Sequence, residues 1–199
     1  MNNRALLIFI KNPERGKVKT RIAKTAGDEK AYQVYLELSK HTRKIAEQFE
    51  ANRLLFYSQF INQKDDWSAE DFQKNLQAAG DLGIRMVAAF QKAFEQNEKV
   101  VIIGSDCASL TSNIVEEAFA ALDAHDFVVG PAKDGGYYLL GMRAFQPSVF
   151  DQIEWSTEQV FRNTIRNIKK LEASYALMPV LSDIDYWEDW LEYGWELTD

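Results

Sequence analysis

The sequence contains a single cysteine, two histidines and four prolines among its 199 residues. One thiol excludes a disulfide framework and any multi-cysteine metal site, and it fits a reducing, cytoplasmic compartment. Cys107 reads as a small packed residue, since neither histidine is tied to it by spacing. His41 falls on a long helix and His125 in the polar turn Asp123-Ala-His-Asp126, so both read as structural. No apolar run approaches the roughly 20 residues that span a bilayer. The stretch Ala5 to Ile10 is too short for a signal-peptide core, and no small-residue cleavage site follows it. An unexported chain with no membrane span is expected. Repeats and Pro/Gly/Ser-rich linkers are also absent, which predicts one domain over residues 1–199. A basic excess is missing too: 23 Lys and Arg face 30 Asp and Glu, a net charge of -7. That balance argues against a nucleic-acid partner.

What is present is an ordinary globular composition, 46% hydrophobic and 27% charged, with its charge unevenly placed. Lys11, Arg15, Lys17, Lys19, Arg21 and Lys24 are accompanied by one acid, Glu14, whereas Asp183 to Asp199 holds seven acids and no cation. A cationic segment on an acidic chain suits a small polyanion such as a phosphate-bearing ligand. Two unrelated solvated segments would look the same by charge alone.

Short apolar runs alternate with amphipathic stretches. Ala5–Ile10, Leu54–Tyr57, Val100–Ile103, Phe127–Val129 and Tyr137–Leu140 read as strands, with a last short one near Tyr175 to Leu181. Helical stripes run from Asp28, a plausible N-cap, to about Phe49, and from Gly83 to Glu95. A third runs through Ile114, Val115, Ala118, Phe119 and Leu122, with Ser112 or Asn113 at its cap. Ser156 and Gln159 form a capping-box pattern before a stripe through Val160, Phe161, Ile165, Ile168 and Leu171. Strands that are apolar throughout, alternating with helices, predict an α/β fold with a mostly parallel central sheet covered on both faces. Such sheets bind ligands outside the carboxyl ends of their strands.

Three segments follow strand ends. Lys11-Asn-Pro-Glu-Arg-Gly16-Lys-Val-Lys19-Thr20-Arg21 combines cations with a glycine that can turn the backbone. It is neither a Walker A loop nor a dinucleotide glycine fingerprint. Gly104-Ser-Asp106-Cys107 puts a carboxylate directly off a buried strand, where it could hold a divalent cation or cap a turn. Gly130-Pro-Ala-Lys-Asp134-Gly-Gly-Tyr137 opens a strand with a Gly-Gly pair, and Asp134 there could be an acid, a base or an orienting group. Lastly, Asp183, Asp185, Glu188 and Asp189 gather four carboxylates that repel unless cations sit among them or a solvated helix start tolerates them.

Together these blocks, with Gln77-Ala-Ala-Gly80-Asp81-Leu-Gly83-Ile-Arg85-Met86 and Trp155-Ser-Thr157, resemble the bacterial DUF2064 family. That family is also called radical-SAM/selenodomain-associated transferase 1, and it is similar to GT-A glycosyltransferases and sugar-nucleotide nucleotidyltransferases. The resemblance runs from Lys11 to about Asp189. This sequence departs from the family pattern at Ala108, usually proline, and at Tyr186-Trp187, usually threonine-proline.

The resemblance implies a GT-A, Rossmann-like fold, a nucleotide or nucleotide-sugar ligand and a divalent metal, Mg²⁺ or Mn²⁺. It implies that Lys11, Lys19 and Arg21, in the loop with Gly16 and Thr20, face phosphates. Gln77, Gly80, Asp81, Gly83 and Arg85 would border the nucleoside, while Asp106 and Asp185 would hold the metal. Lys19 and Arg21 would then hold a diphosphate leaving group, with Asp134 a general base or acceptor-positioning group. Three activities stay open: a glycosyltransferase using a nucleotide-diphosphate sugar and a small-molecule acceptor, a nucleotidyltransferase, and a non-catalytic nucleotide-binding module. The Trp-rich C-terminus (Trp187, Trp190, Trp195) either packs on the core or forms a homodimer patch.

Overall fold

A computed structural model describes residues 3–48 and 50–197. In chain order its elements are β1 (Arg4–Ile10), α1 (Thr20–Ala26), α2 (Asp28–Glu47), β2 (Asn52–Tyr57), β3 (Gln73–Leu76), α3 (Leu82–Phe94) and β4 (Lys99–Ile103). They continue as α4 (Ser112–Ala121), β5 (Phe127–Pro131), β6 (Tyr137–Met142), α5 (Val160–Lys170), β7 (Tyr175–Leu177) and α6 (Trp187–Tyr193). The strands form one sheet of order β3-β2-β1-β4-β6-β5-β7.

The pairs β1–β2, β1–β4, β2–β3 and β5–β7 are parallel, each reached by a crossover long enough to return the chain to the same edge. Strand β6 alone runs antiparallel, between β4 and β5. The link of residues 132–136 is too short for a crossover, so β5 and β6 can only be antiparallel neighbours. The predicted mostly parallel α/β sheet is therefore what forms.

Both faces of the sheet are apolar, which is why its strands read as continuous hydrophobic runs. Leu6, Ile8, Leu55, Val101, Ile103 and Leu139 face Ile45 and Ala46 of α2 and Val115, Ala118 and Phe119 of α4. Leu7, Leu54, Phe56, Val100, Ile102 and Leu140 face Met86, Ala89, Phe90 and Ala93 of α3 and Ile168 of α5. A third cluster joins Ile22 of α1, Val34 and Leu38 of α2, Ile184, and Trp190 of α6. Trp187 and Trp195 pack against it, so the tryptophan-rich end lies on the helices of its own chain.

Several local expectations need correction. The chain has an extra helix, α1, and an edge strand, β3, that the apolar pattern did not reveal; β3 reads Gln-Lys-Asn-Leu and buries little. Helix α2 is capped by Gly27, with Asp28 as its first residue, where the charge favours the helix dipole. Its expected end at Phe49 lies outside the described residues. Thr111, rather than Ser112 or Asn113, caps α4 by accepting from the Ile114 amide. The Ser156–Gln159 box does not form: Ser156 sits at φ 64° in a turn, and α5 begins after Gln159 without a side-chain cap. The turn is held instead by Thr157, whose hydroxyl donates to the Glu154 carbonyl.

Candidate functional site

Four loops converge at the carboxyl edge of the sheet. The loop after β1, residues 11–19, reaches the turn after β4 and the late segment 181–185. The Ile184 amide donates to the Asp106 carbonyl at 2.8 Å. The loop after β5 joins the same segment, since the Lys133 amide donates to the Leu181 carbonyl at 2.9 Å and Ala132 bridges to Leu181. Lys11, Lys19, Asp106, Asp134 and Asp185, separated by up to 174 residues, thus come to one edge beside the β1–β4 pair. Strand order turns away there from simple succession, the place where open α/β sheets bind ligands.

Lys19 stands at the centre. Its ammonium lies 2.6 Å from Asp106 Oδ1 and donates to the Ile184 carbonyl at 2.7 Å, and the side chain is 7% exposed. An ammonium has three protons, so one remains for a ligand oxygen. The backbone of Lys19 is left-handed, with φ 46° and ψ 43°. This conformation costs a non-glycine residue roughly 1–2 kcal/mol, and here it turns the chain from the loop into α1 and aims the side chain at the carboxylates.

Asp183 is the acid the sequence reading did not single out. Burial, reinforced by Asp106, Asp134 and Asp185 and opposed by Lys19, pushes its carboxyl up to about 7. Asp183 is one of four carboxylates close together in the chain, with Asp185, Glu188 and Asp189, and nothing in a run of acids distinguishes the one whose side chain turns inward. Asp185 instead pairs with Arg21 at 2.8 Å, and the Arg21 guanidinium also lies over the Tyr186 ring. The Asp189 carboxylate accepts from the Asp185 and Tyr186 amides and holds that turn. Asp134 is exposed, its carboxylate accepting from the Gly136 amide at 2.8 Å. The neighbouring Gly135 has φ 88°, and a Cβ there would meet the Glu158 carbonyl at 2.3 Å, so only glycine fits.

The remaining predicted residues lie on the same edge with varied roles. Lys11 is exposed, and its carbonyl accepts the Tyr35 hydroxyl. Gly16 and Thr20 are exposed, in the loop and at the start of α1. Gln77 Nε2 donates to the Ile10 and Phe56 carbonyls, tying the segment after β3 to the ends of β1 and β2. Arg85 braces that segment through the Gly80 carbonyl at 2.9 Å, and Asp81 caps α3 by accepting from the Ile84 amide. Gly83 is buried against Trp155; a Cβ would meet its Nε1 at 2.7 Å. Cys107 is buried, and that burial pushes its thiol up to about 12. It is a packed residue without nucleophilic character at neutral pH.

The DUF2064 family, described as uncharacterized proteins conserved in bacteria, matches residues 41–157. The chain belongs to this family. Among solved structures, this DUF2064 chain is similar to a proposed nucleotide-diphospho-sugar transferase from Desulfovibrio desulfuricans G20. The two share 32% identity over 94% of this chain and 84% of that one, with a TM-score of 0.85. The fold is also that of the inositol-1-phosphate CTP transferase from T. maritima (12% identity, 94% and 91% covered, TM-score 0.58). The manganese complex of Rv0371C from Mycobacterium tuberculosis H37Rv shares it too (8% identity, 96% and 98% covered, TM-score 0.60). No curated protein matches the sequence.

Among the described residues, no three histidine, cysteine, aspartate or glutamate side chains are arranged as a metal site. The donors at the edge are nevertheless hard carboxylate oxygens, with Asp106 close enough to Asp183 to hinder the ionisation of Asp183. Oxygen donors without a histidine or cysteine among them suit Mg²⁺ or Mn²⁺ better than zinc. No helix among the described residues is long and apolar enough to cross a membrane.

Proposed function

We propose that this DUF2064 protein is a transferase that takes a nucleotide-diphosphate sugar as donor and passes the sugar to a small-molecule acceptor. The observation that carries the reading is the Lys19 ammonium, held between Asp106 and the Ile184 carbonyl at the mouth of a cationic loop. It is a fixed positive charge with one proton free for a diphosphate oxygen. Lys11 and Arg21, both exposed, add further cations to the same edge. Preorganised charge of this kind stabilises a leaving group that gains negative charge as its bond to the sugar breaks. Gln77 and the Gly80–Arg85 segment, braced by Arg85, would border the nucleoside.

A divalent ion would be held by Asp106 with Asp183 or Asp185. It would supply further charge neutralisation at the diphosphate. Lys19 holds Asp106 in place, whereas Asp134, exposed and near the cluster, is suited to accept a proton from the acceptor hydroxyl. The unbroken seven-stranded sheet supports treating the chain as one such domain.

A nucleotidyltransferase using a nucleoside triphosphate is the second reading, favoured by the fold shared with the CTP transferase from T. maritima. Thermal-shift and calorimetric titration with nucleoside diphosphates, triphosphates and nucleotide sugars, with and without Mg²⁺ or Mn²⁺, separates them. Ligand at 100 times its Kd adds about 2.7 kcal/mol of stability. Tightest binding and turnover of a diphosphate sugar supports the first reading. Preference for a triphosphate replaces it with the second, and binding without turnover of any donor–acceptor pair would leave a nucleotide-binding module.

A further inference from the structure

Residues 58–72 join β2 to β3 without secondary structure of their own except turns. Ordered loops of this length are uncommon unless they carry function. This one is pinned twice. At its start, Asn12, 2% exposed, grips it with three sets of bonds. Asn12 Oδ1 accepts from the Gln59 and Phe60 amides at 2.9 and 3.3 Å, Nδ2 donates to the Phe60 carbonyl at 2.8 Å, and the Asn12 amide donates to Ser58 Oγ. Further on, the buried Lys74 ammonium meets Asp65 at 2.8 Å and the Asn62 carbonyl at 2.7 Å, while the Tyr57 hydroxyl donates to Asp65 at 2.7 Å. Trp67 is buried edge-on against Phe72.

Between these anchors the loop exposes two large apolar side chains, Phe60 at 51% and Ile61 at 37%. An aromatic ring left in water on a backbone fixed by three bonds to one asparagine has lost its ordering entropy without gaining burial. Asn12 follows Ile10 by two residues, so Phe60 stands at the carboxyl ends of β1 and β2. Gln77 is bonded to both of those strand ends.

We propose that Phe60 is the stacking platform for the nucleobase of the ligand, with Asn12 as the residue that holds it in position. The inference rests on the nucleotide reading above. It assigns the base to residues 58–61, at the ends of β1 and β2, and the diphosphate to the Lys19 side of the same sheet edge. Every base has a π-face, so Phe60 contributes affinity for the nucleoside without choosing among bases.

The test is calorimetric titration of the full chain with UDP, CDP, ADP, GDP and inorganic pyrophosphate, each with Mg²⁺, against Phe60→Ala, Phe60→Leu and Phe60→Trp. The wild type should bind at least one nucleoside diphosphate more tightly than pyrophosphate. Phe60→Ala and Phe60→Leu should weaken that nucleotide by about tenfold and leave pyrophosphate unchanged. Phe60→Trp should retain affinity and add, to the emission of the five native tryptophans, a component that the nucleotide quenches and pyrophosphate does not. Equal losses for nucleotide and pyrophosphate would make Phe60 a structural residue of the loop and overturn the proposal. So would unchanged nucleotide affinity in Phe60→Ala, or a wild type that binds pyrophosphate as tightly as every nucleoside diphosphate. A wild type that binds neither class refutes the nucleotide reading itself, and the stacking role with it.

Discussion

The interior of the sheet and the cluster over α1 and α2 are both apolar, yet they are assembled in different ways and serve different ends. In the sheet, Leu7, Ile102 and Leu140 are brought together by neighbouring strands whose own sequences demand burial. Over α1 and α2, Ile22 meets Ile184 and Trp190, residues more than 160 positions later. That second cluster fastens the end of the chain across the cationic loop, and the polar contacts at its rim are those of the candidate site: Lys19 to the Ile184 carbonyl and Arg21 to Asp185. The comparison teaches that global stability resides in the sheet and site geometry in the strap. Truncation in the sheet should therefore lower stability without changing affinity, and loss of the polar contacts at the rim of the second cluster should weaken affinity with less effect on stability.

The largest effect is expected in the sheet. Leu7→Ala empties space in a fully buried layer and should cost about 2–5 kcal/mol in chemical denaturation. Nucleotide affinity of the folded fraction should stay at the wild-type value in calorimetry. A large loss of affinity would show that sheet and site are not separable.

Next comes Asp183→Asn, on the order of 3 kcal/mol and dependent on pH. The folded carboxyl sits at about 7, above its ordinary 3.8, so the folded state binds a proton that the unfolded state has lost between those values. The contribution of Asp183 to stability is whole below pH 4 and declines as pH rises through 7. The asparagine variant should equal wild type near pH 4 and exceed it at pH 8, measured by urea denaturation across that range. Identical pH profiles would place Asp183 in water.

Lys19→Met should weaken nucleotide binding by the worth of a charge-assisted bond, about 1.5–3 kcal/mol. It also leaves Asp106 without its cation. If calorimetry gave unchanged affinity, Lys19 would be only a fastener of the strap. The smallest effect on stability belongs to Arg21→Gln, whose pair with Asp185 is exposed on both sides and should be worth less than about 1 kcal/mol. Its affinity for a nucleotide should still fall several-fold, and a variant binding as tightly as wild type would remove Arg21 from the phosphate side.

Much of the fold could be read from local pattern because its cause is local. Val100–Ile103 is apolar and β-branched throughout, which suits a strand buried on both faces and little else. Strand β3 escaped because Gln73 and Leu76 are exposed at the sheet edge, and the two residues between them, Lys74 and Asn75, are polar. At the site, the glycine-bearing cationic loop and Asp106 were legible as residues that follow strand ends. Asn12, Phe60 and Asp183 were not, because an asparagine, an exposed phenylalanine and one acid among four carry no signal by composition.

The amino-acid sequence by itself determined the class of fold, its mostly parallel central sheet and the presence of cations and carboxylates at strand ends. These follow from hydrophobic period and strand length, properties of contiguous residues. Tertiary structure alone decided which carboxylate Lys19 meets, that Asp183 turns inward while Asp185 pairs with Arg21, and that the tryptophans close over α1 and α2. Those outcomes depend on where residues distant in the chain land, such as Lys19 and Asp106 or Arg21 and Asp185, and burial and Coulomb energies are set by distance in space.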